Sequence, residues 1–290
     1  MTATDDSLSA LMIELRPRLH RYCARMVGSV FEGEDVVQET LTKATEALAS
    51  GSPVANIERW LFAIAHNTSL DALRRRKRQA EVPFNEESAD EADSNSQIES
   101  WITTDASLAA IMQLPVIQRS AVILVDVLDY SVEETVHILD STLPAVKAAL
   151  HRGRTRLKHW SDVRQTERVT VPAEDISRLR AYADSFNARD FDTLRNLLAE
   201  DVKLDLVNRL RLTGRKDVSV YFGRYGERDD WKFSIGLAED RLALFVSDLH
   251  DPTDTPTYVV LLDWRDGKIV NIQDFRWAPY VTNGLAYMTL

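Results

Sequence analysis

Cysteine and long apolar runs are what this sequence most lacks. Cys23 is the one cysteine among 290 residues, which excludes a disulfide framework and a cysteine-rich metal site. No apolar run approaches the roughly 18 residues that a membrane-spanning helix needs, and the N-terminal stretch MTATDDSLSA is not of signal-peptide type. The six histidines are scattered without ligand spacing. We therefore expect a cytoplasmic protein with no metal, no cofactor and no membrane contact.

Positive charge is scarce in total but concentrated in two segments. The formal net charge is -10, and residues 81–105 contain eight acidic and no basic side chains. On either side of that acidic stretch lie a run of consecutive cations and a second cluster between Lys147 and Lys158. The consecutive run consists of Arg74, Arg75, Arg76, Lys77 and Arg78. A polyanionic partner needs local basic patches rather than a basic total, so both segments are candidates for contact with nucleic acid.

The hydrophobic pattern changes character near residue 160. Before it, apolar residues recur at helical spacing, with a break at GSVFEGED and a resumption from Glu34. After it, one or two helices precede segments in which apolar and polar residues alternate. The stretch DWRDGKIV holds an Asp-Gly hairpin signal between two of those segments. The pattern predicts helical domains followed by a separate α+β domain.

Residues 131–160 predict two short helices joined by a tight turn. Ser131 and Glu134 have the spacing of a capping box, Thr142 can cap the second helix, and Pro144 falls in its first turn. The second helix places Val146, Ala149, Leu150 and Leu157 inward. Its remaining face carries Lys147, Ala148, His151 and Arg152. This is the form of a DNA-reading helix-turn-helix, although an amphipathic hairpin with solvated cations has the same pattern.

The stretch LPVIQRSAVILVDVLDYSVEETVHILDSTLPAVKAALHRGRTRLK resembles region four of the extracytoplasmic-function sigma factors of bacterial RNA polymerase. Upstream, EDVVQETLTKATEAL and IERWLFAIAHNTSLDALRRRKR resemble the polymerase-binding and promoter-melting helices of region two. The family's usual wording near the second basic cluster is close to AVKSRLHRAR, so Ala148 and Gly153 are departures. A glycine within a helix costs up to about 1 kcal/mol relative to alanine.

The resemblance implies core RNA polymerase and promoter DNA as partners, and an anti-sigma factor as a further candidate. It implies that Asp35, Gln38 and Glu39 face the polymerase. Bases extruded from the opened promoter would meet the loop at residues 50–56 and the face bearing Asn67. The remaining DNA contacts would come from Arg74, Arg75, Arg76, Lys77 and Arg78 in region two, and from Lys147, Ala148, His151, Arg152 and Arg154 in region four, with Arg154 nearer the DNA backbone or the polymerase.

The C-terminal part resembles SnoaL-like domains, which have a cone-shaped α+β fold. The resemblance lies in ISRLRAYADSFNARDFDTLRNLLAEDVKLDL and in the alternating strands that follow. It implies an apolar pocket, with Tyr182, Trp231 and Trp264 as candidate lining residues. Asp205, Tyr221 and Asp274 are further candidates for a proton-transfer site. Catalysis, ligand sensing and regulation through protein contacts all remain open for this domain.

These observations predict five segments and one main function. The segments are region two over residues 8–80, an acidic linker over 81–105, region four over 106–160, a linker over 161–174 and a SnoaL-like domain over 175–290. The predicted function is that of an alternative sigma factor, not an enzyme, whose C-terminal domain modulates its activity. The competing hypotheses are a helix-turn-helix regulator that does not recruit polymerase, and a SnoaL-like enzyme with a helical appendage.

Overall fold

The structure is a computed structural model that describes residues 3–51, 54–79, 106–159, 171–227, 229–251, 255–283 and 285–290. The chain divides into two compact units, residues 1–164 and 165–290. The linker predicted over 81–105 lies outside the described residues, and so does most of the linker predicted over 161–174.

The first unit is helical throughout its described part. Its elements are α1 (Ala3–Val27), α2 (Val30–Ala49), α3 (Ile57–Gln79), α4 (Ala106–Met112), α5 (Val116–Val122), a π-helical turn (Ile123–Val127), α6 (Val132–Ile138) and α7 (Leu143–His159). The expected breaks near residues 129 and 140 are confirmed, because Asp129 and Asp140 both adopt positive φ. The π turn was not expected from the sequence.

Helix α2 begins four residues earlier than its apolar pattern predicts. The expectation that the helix resumes at Glu34 is wrong, because Ser29 caps it and Val30 is its first residue. The Ser29 hydroxyl accepts a hydrogen bond from the Glu32 backbone N–H at 3.2 Å. Gly28, at φ +84°, makes the turn between α1 and α2 in a conformation that favours glycine. A local cap therefore decides this boundary.

The helical unit has a large hydrophobic cluster and a smaller one, and the smaller one consists of Leu114, Ala121, Val122, Ala149 and Leu150. Leu19 of α1, Phe62 of α3 and Leu124 of the π turn are fully buried members of the large cluster. Tyr130, between the π turn and α6, packs its ring edge-on against Phe62 with the centroids 5.2 Å apart. The helices before and after the acidic stretch are thus joined by burial of a common apolar surface.

The second unit combines helices with one seven-stranded sheet in its described residues. In chain order the elements are α8 (Ala173–Asn187), α9 (Phe191–Asn196), β1 (Leu198–Leu206), β2 (Leu210–Thr213), α10 (Arg215–Gly226), β3 (Trp231–Ala238), β4 (Arg241–Asp248), β5 (Pro256–Arg265), β6 (Lys268–Asp274), a 3₁₀ turn (Pro279–Val281) and β7 (Tyr287–Thr289). The strand order is β2-β1-β6-β5-β4-β3-β7, and neighbours are antiparallel except for the parallel pair β1 and β6. The predicted α+β class is confirmed.

Two glycines permit features of the sheet, one of which the sequence predicts and one of which it does not. The Asp-Gly hairpin is confirmed: Asp266 and Gly267 both have positive φ, and Arg265 pairs with Lys268 across the turn. Strand β7 was not anticipated. A Cβ at Gly236 would lie 2.2 Å from the Met288 carbonyl oxygen, so glycine permits the close approach of β7 to β3.

The helices of this unit cover one face of the sheet. Phe186 of α8 and Phe222 of α10 are fully buried and share a core with Val260 of β5. Phe186 is central to it, since its ring stacks on Phe233 at 4.1 Å and meets Tyr225 edge-on at 5.0 Å. Aromatic packing of this kind fixes the helices on the sheet.

Candidate nucleic-acid interface

Helices α6 and α7 form the predicted helix-turn-helix. Ser131 and Glu134 make a complete capping box: the serine hydroxyl accepts from the Glu134 N–H at 3.2 Å, and the Ser131 N–H donates to Glu134 Oε2 at 2.9 Å. Thr142 accepts a hydrogen bond from the Ala145 N–H at 3.4 Å. Local sequence signals therefore determine where both helices begin.

Helix α7 buries one face and exposes a cationic one. Its buried residues are Val146, Ala149, Leu150 and Gly153. Lys147, His151 and Arg152 are exposed, and Ala148 is half-buried. Leu157 is half-buried and packs against the smaller apolar cluster, to which Ala149 and Leu150 belong. Within the described part of the chain, Lys147, His151 and Arg152 have no ion pair or side-chain hydrogen bond. The exposed face is therefore available to a ligand with acceptor groups.

Arg154 differs from the other cations of α7 because it is engaged within the protein. Its Nη2 and Nε donate to the two carboxylate oxygens of Asp126 at 2.5 and 3.1 Å. The Asp126 side chain is only 11% exposed. These hydrogen bonds raise the pKa of Arg154 above its ordinary value. The structure thus separates Arg154 from the exposed set of which it was predicted to be part.

The consecutive cations form the exposed C-terminal end of α3. Arg74 pairs with Asp71 at 3.0 Å, and Arg75 with Glu39 at 2.9 Å. Arg76, Lys77 and Arg78 are all exposed but differ in their contacts.

Arg76 donates to the Val27 carbonyl oxygen at 3.0 Å and lies 3.3 Å from Glu32. Lys77 and Arg78 have no ion pair with any other described residue. Surface pairs of this kind contribute little to stability and exchange readily for other anions. The end of α3 is therefore a second accessible cationic surface.

The second unit contains a buried polar cluster centred on Asp274. Its carboxylate is fully buried and accepts hydrogen bonds from the hydroxyls of Tyr221 at 2.8 Å and Tyr225 at 2.9 Å, and from the Arg276 backbone N–H at 2.8 Å. The Tyr258 hydroxyl lies 2.9 Å from that of Tyr225. Burial raises the pKa of Asp274 above its usual range, against the opposing effect of these donors.

The three predicted pocket residues all lie in the hydrophobic core of the second unit, Tyr182 and Trp231 as buried members and Trp264 as a half-buried residue packed against it. Tyr182 and Trp264 meet edge-on with centroids 6.4 Å apart. Trp231 instead packs against Phe186 and donates its indole N–H to the Tyr225 carbonyl oxygen at 3.3 Å. Tyr182 is buried, and its pKa is raised first by burial and then by the charge of Asp274.

The two proton-transfer candidates on strands, Asp205 and Asp274, have different hydrogen-bond partners. Asp205 pairs with Arg211 at 2.8 Å on the neighbouring strand β2. Asp274 lies in the tyrosine cluster with Tyr221. Asp205 thus belongs to a cross-strand ion pair and not to the buried cluster.

Comparison with known proteins decides the family. Residues 11–79 match the family model of Sigma-70 region 2, residues 105–157 that of Sigma-70 region 4, and residues 179–272 that of the SnoaL-like domain. A 140-residue stretch is 33% identical to the ECF RNA polymerase sigma factor SigM of Mycobacterium tuberculosis, covering 48% of this chain and 69% of SigM. The chain belongs to the extracytoplasmic-function sigma factors.

Two further similarities extend beyond the helical unit. The ECF sigma factor SigG of M. tuberculosis is 31% identical over 219 residues, covering 64% of this chain. The chain spans 57% of the length of that relative. The crystal structure of M. tuberculosis SigJ, an ECF sigma factor, is similar over 92% of this chain and 95% of SigJ, at 20% identity and a TM-score of 0.36.

In this sigma factor, the predicted polymerase-binding residues lie along α2. Asp35 is exposed, and Gln38 and Glu39 are half-buried. Glu39 is bound by two cations, Lys43 at 2.8 Å and Arg75 at 2.9 Å. Asn67 is exposed on α3. Of the loop at 50–56, residues 52–53 lie outside the described part.

Sequence reasoning missed the polar contacts that link region two to region four. Arg18 of α1 forms an ion pair with Glu58 and donates to the Leu128 carbonyl oxygen at 3.3 Å. The Tyr130 hydroxyl donates to Glu58 Oε1 at 2.6 Å, and the Arg18 guanidinium lies 5.1 Å from the Tyr130 ring centroid. No local pattern identifies these partners, because Tyr130 and Glu58 are separated by 72 positions.

No group of three acidic, histidine or cysteine side chains within the described ranges has the arrangement of a metal site. No described helix combines the length and the apolar character that a membrane crossing needs.

Proposed function

We propose that this protein is an alternative sigma factor that binds core RNA polymerase and directs promoter recognition, melting and transcription initiation. The carrying observation is the exposed cationic face of α7 in a helix-turn-helix, in a chain of this family; Lys147, His151 and Arg152 have no ion pair with another described residue. Its place of action would be the cytoplasm, together with core polymerase. An anti-sigma factor is a further candidate partner.

Region four would read the upstream promoter element through α7. Arg152 and Lys147 can donate to the O6 and N7 acceptors of guanine in the major groove. The Ala148 methyl group suits contact with a thymine methyl, and His151 can donate to a base or a phosphate. Exposure of Lys147, His151 and Arg152 on one helix supports direct reading of base edges.

Region two would hold the melted part of the promoter. Extruding a base costs a few kcal/mol of stacking, which protein contacts must offset. Asn67 is placed on the exposed face of α3, and the cationic end of that helix, Arg74–Arg78, would bind phosphates. Lys77 and Arg78 need break no ion pair with another described residue to do so. Contacts to phosphates make binding steeply salt-dependent.

The exposed side of α2 is proposed to bind polymerase. Asp35 presents a carboxylate to solvent, and Gln38 adds hydrogen-bonding capacity one turn further on. Glu39 is bound to Arg75, so a polymerase cation would have to compete with that pair.

The SnoaL-like domain is proposed to modulate sigma activity without catalysis. The three donors to Asp274 account for most of the acceptor capacity of its carboxylate, as in a structural hydrogen-bond network. Ligand sensing is the second candidate role. It is favoured by Tyr182, a buried residue whose hydroxyl has no hydrogen bond to another described residue.

Run-off transcription with core RNA polymerase on the protein's own upstream region tests the proposal. The full-length protein should give a discrete transcript. The double variant Lys147→Ala with Arg152→Ala should reduce it on the order of 100-fold, because two base contacts are lost. The matched control, Arg180→Ala with Arg224→Ala, removes two exposed cations from the second unit and should leave the transcript unchanged.

Two further arms separate the alternatives. A chain ending near Thr170 should still direct transcription but to a different extent; equal activity would exclude modulation by the C-terminal domain. Co-purification with core polymerase distinguishes a sigma factor from a regulator that only binds DNA. If no promoter is transcribed and core polymerase is not bound, the proposed function is wrong.

A further inference from the structure

Helix α7, the second helix of the helix-turn-helix, is seated very closely on α5. A Cβ at Gly153 would lie 2.8 Å from Val122 Cγ2 and 3.4 Å from Gln118 Cβ. Glycine at position 153, a departure from the family's usual alanine, therefore permits an approach that a larger residue would obstruct. Such contact fixes how far α7 sits from α5.

The ion pair of Arg154 with Asp126 adds a rotational constraint to this contact. A guanidinium that binds both carboxylate oxygens is held in one plane, unlike a lysine that binds as a point charge. Arg154 follows Arg152 by two positions, which places the two side chains about 200° apart around the helix. The anchor therefore grips α7 on the side away from Arg152.

The π turn explains why Asp126 faces α7. The Leu128 N–H bonds to the Ile123 carbonyl oxygen at 3.0 Å, which is the i→i+5 pattern. In an α-helix, each step of four residues turns the side chain by about 40°. The wider turn reduces this drift and keeps Gln118, Val122 and Asp126 on the face that meets α7.

We propose that Asp126 is a positioning residue for promoter recognition. Through Arg154 it fixes the rotation of α7, and this rotation decides which side chains reach the base edges. The inference rests on the proposed function of α7 in reading promoter DNA. It also changes the expected role of Arg154, whose bonds to Asp126 orient the helix instead of binding a phosphate.

This proposal and simple electrostatics predict opposite signs for one substitution. Asp126→Asn removes a negative charge from a domain that binds a polyanion, so electrostatics alone predicts equal or tighter binding to every sequence. If Asp126 positions α7, the preference for the cognate sequence should fall instead. We expect the ratio of cognate to non-cognate affinity to drop on the order of tenfold, as when one good base contact is lost.

The experiment uses the full-length protein with core RNA polymerase. The probes are a duplex enriched by the wild-type holoenzyme from a randomised library, and a shuffled duplex of the same composition. Binding to both is measured by fluorescence anisotropy over a series of salt concentrations. The matched control is Glu133→Gln, which removes one exposed carboxylate from the same helix-turn-helix and should leave the ratio unchanged.

A second variant keeps the test decisive if Asp126→Asn lowers the melting temperature. Arg154→Lys retains the positive charge but cannot bind both carboxylate oxygens of Asp126 in one plane. It should therefore lower the ratio of cognate to non-cognate affinity in the same way, without changing the salt dependence. If Arg154 were a phosphate contact, lysine would preserve the ratio. The exchange of Asp126→Arg with Arg154→Asp should restore part of the preference.

The outcomes distinguish the inference from the function on which it rests. If the wild-type holoenzyme enriches no sequence, the proposed function fails. If it enriches one and Arg154→Lys discriminates as the wild type does, the positioning role of Asp126 is wrong. A lower ratio with an unchanged salt slope in both Asp126→Asn and Arg154→Lys supports it.

Discussion

Arg119 of the helical unit and Asp274 of the SnoaL-like unit are buried side chains of opposite charge that have different partners. The helical unit also buries Glu34, which forms an ion pair with Arg16. Arg119 in the helical unit donates to backbone carbonyl oxygens: Met26 at 2.5 Å, and Met112 and Leu114 at 3.0 Å each. Asp274 in the other unit accepts from two tyrosine hydroxyls and one backbone N–H. All the hydrogen-bond partners named here, for Arg119 and for Asp274, are neutral groups.

The contrast lies in the groups that satisfy each buried charge: carbonyl oxygens for Arg119, and mainly tyrosine hydroxyls for Asp274. Helices end in carbonyl groups without intrahelical partners and carry partial negative charge there, which suits a guanidinium. Met26 and Met112 lie at the ends of α1 and α4. A sheet has few such groups, so the carboxylate uses Tyr221 and Tyr225, four residues apart on α10.

The first prediction tests the cationic side of this comparison. Arg119→Met should lower the free energy of unfolding of the helical unit by roughly 3 kcal/mol, because three buried carbonyl groups lose their donor. The loss should appear in hydrogen–deuterium exchange of peptides from α1 and α5, and not in those from the sheet. Arg78→Met, the same change at an exposed site, should stay within about 0.5 kcal/mol; equal effects would contradict the role of Arg119.

A second prediction concerns two histidines of the helical unit, the buried His20 and the half-buried His66. His20 donates to the Val30 carbonyl oxygen at 2.8 Å, and His66 Nδ1 lies 2.8 Å from the Tyr22 hydroxyl. Burial lowers the pKa of each to about 4. Between pH 6.5 and 4 the unfolded chain therefore binds protons that the folded unit does not, so the unit should lose stability as the pH falls through this range, by up to about 3 kcal/mol for each histidine.

The variant His20→Gln isolates one of these contributions. Its unfolding free energy should depend less steeply on pH between 6.5 and 4, by about one proton, as measured by denaturant unfolding at a series of pH values. His137→Gln, at an exposed position of α6, is the control and should follow the wild type. A His20→Gln profile parallel to the wild type would show that His20 is not buried in its neutral form.

Sequence reasoning succeeded where the determinant is local. The capping box of Ser131 and Glu134 and the Asp266-Gly267 turn each involve residues within a few positions of one another. The start of α2 depends on the cap at Ser29, which the apolar pattern alone does not reveal. The fold class follows from periodicity, which is a property of whole segments.

The chemistry of the buried polar groups could not be predicted in the same way. Arg119 and its acceptor at Met26 are separated by 93 positions, and Tyr221 and Asp274 by 53. A polar residue in an apolar pattern indicates that a partner exists, but only tertiary structure decides which group it meets. Arg154 is the clearest case, since a cation within a basic cluster gave no sign of an internal partner.

The smallest expected effect tests the anionic side of the comparison. Tyr225→Phe removes one donor to Asp274 and keeps the aromatic packing, so at pH 7 it should lower the stability of the SnoaL-like unit by about 2 kcal/mol. Tyr287→Phe, at an exposed site on β7, is the control and should have little effect. Exchange of peptides from β6 and α10 measures the difference.

The pH dependence of that loss identifies the charge of Asp274 as its cause. Because burial raises the pKa of Asp274, the folded unit binds a proton more tightly than the unfolded chain. This group therefore adds stability as the pH falls from above its folded pKa towards its ordinary value of 3.8, the opposite sign to the histidines. A neutral carboxyl depends less on the Tyr225 hydroxyl, so the cost of Tyr225→Phe should shrink at acid pH. A cost that stays the same at pH 7 and pH 4 would mean that Asp274 does not change its protonation between them, and the contrast between the two units would lose its anionic half.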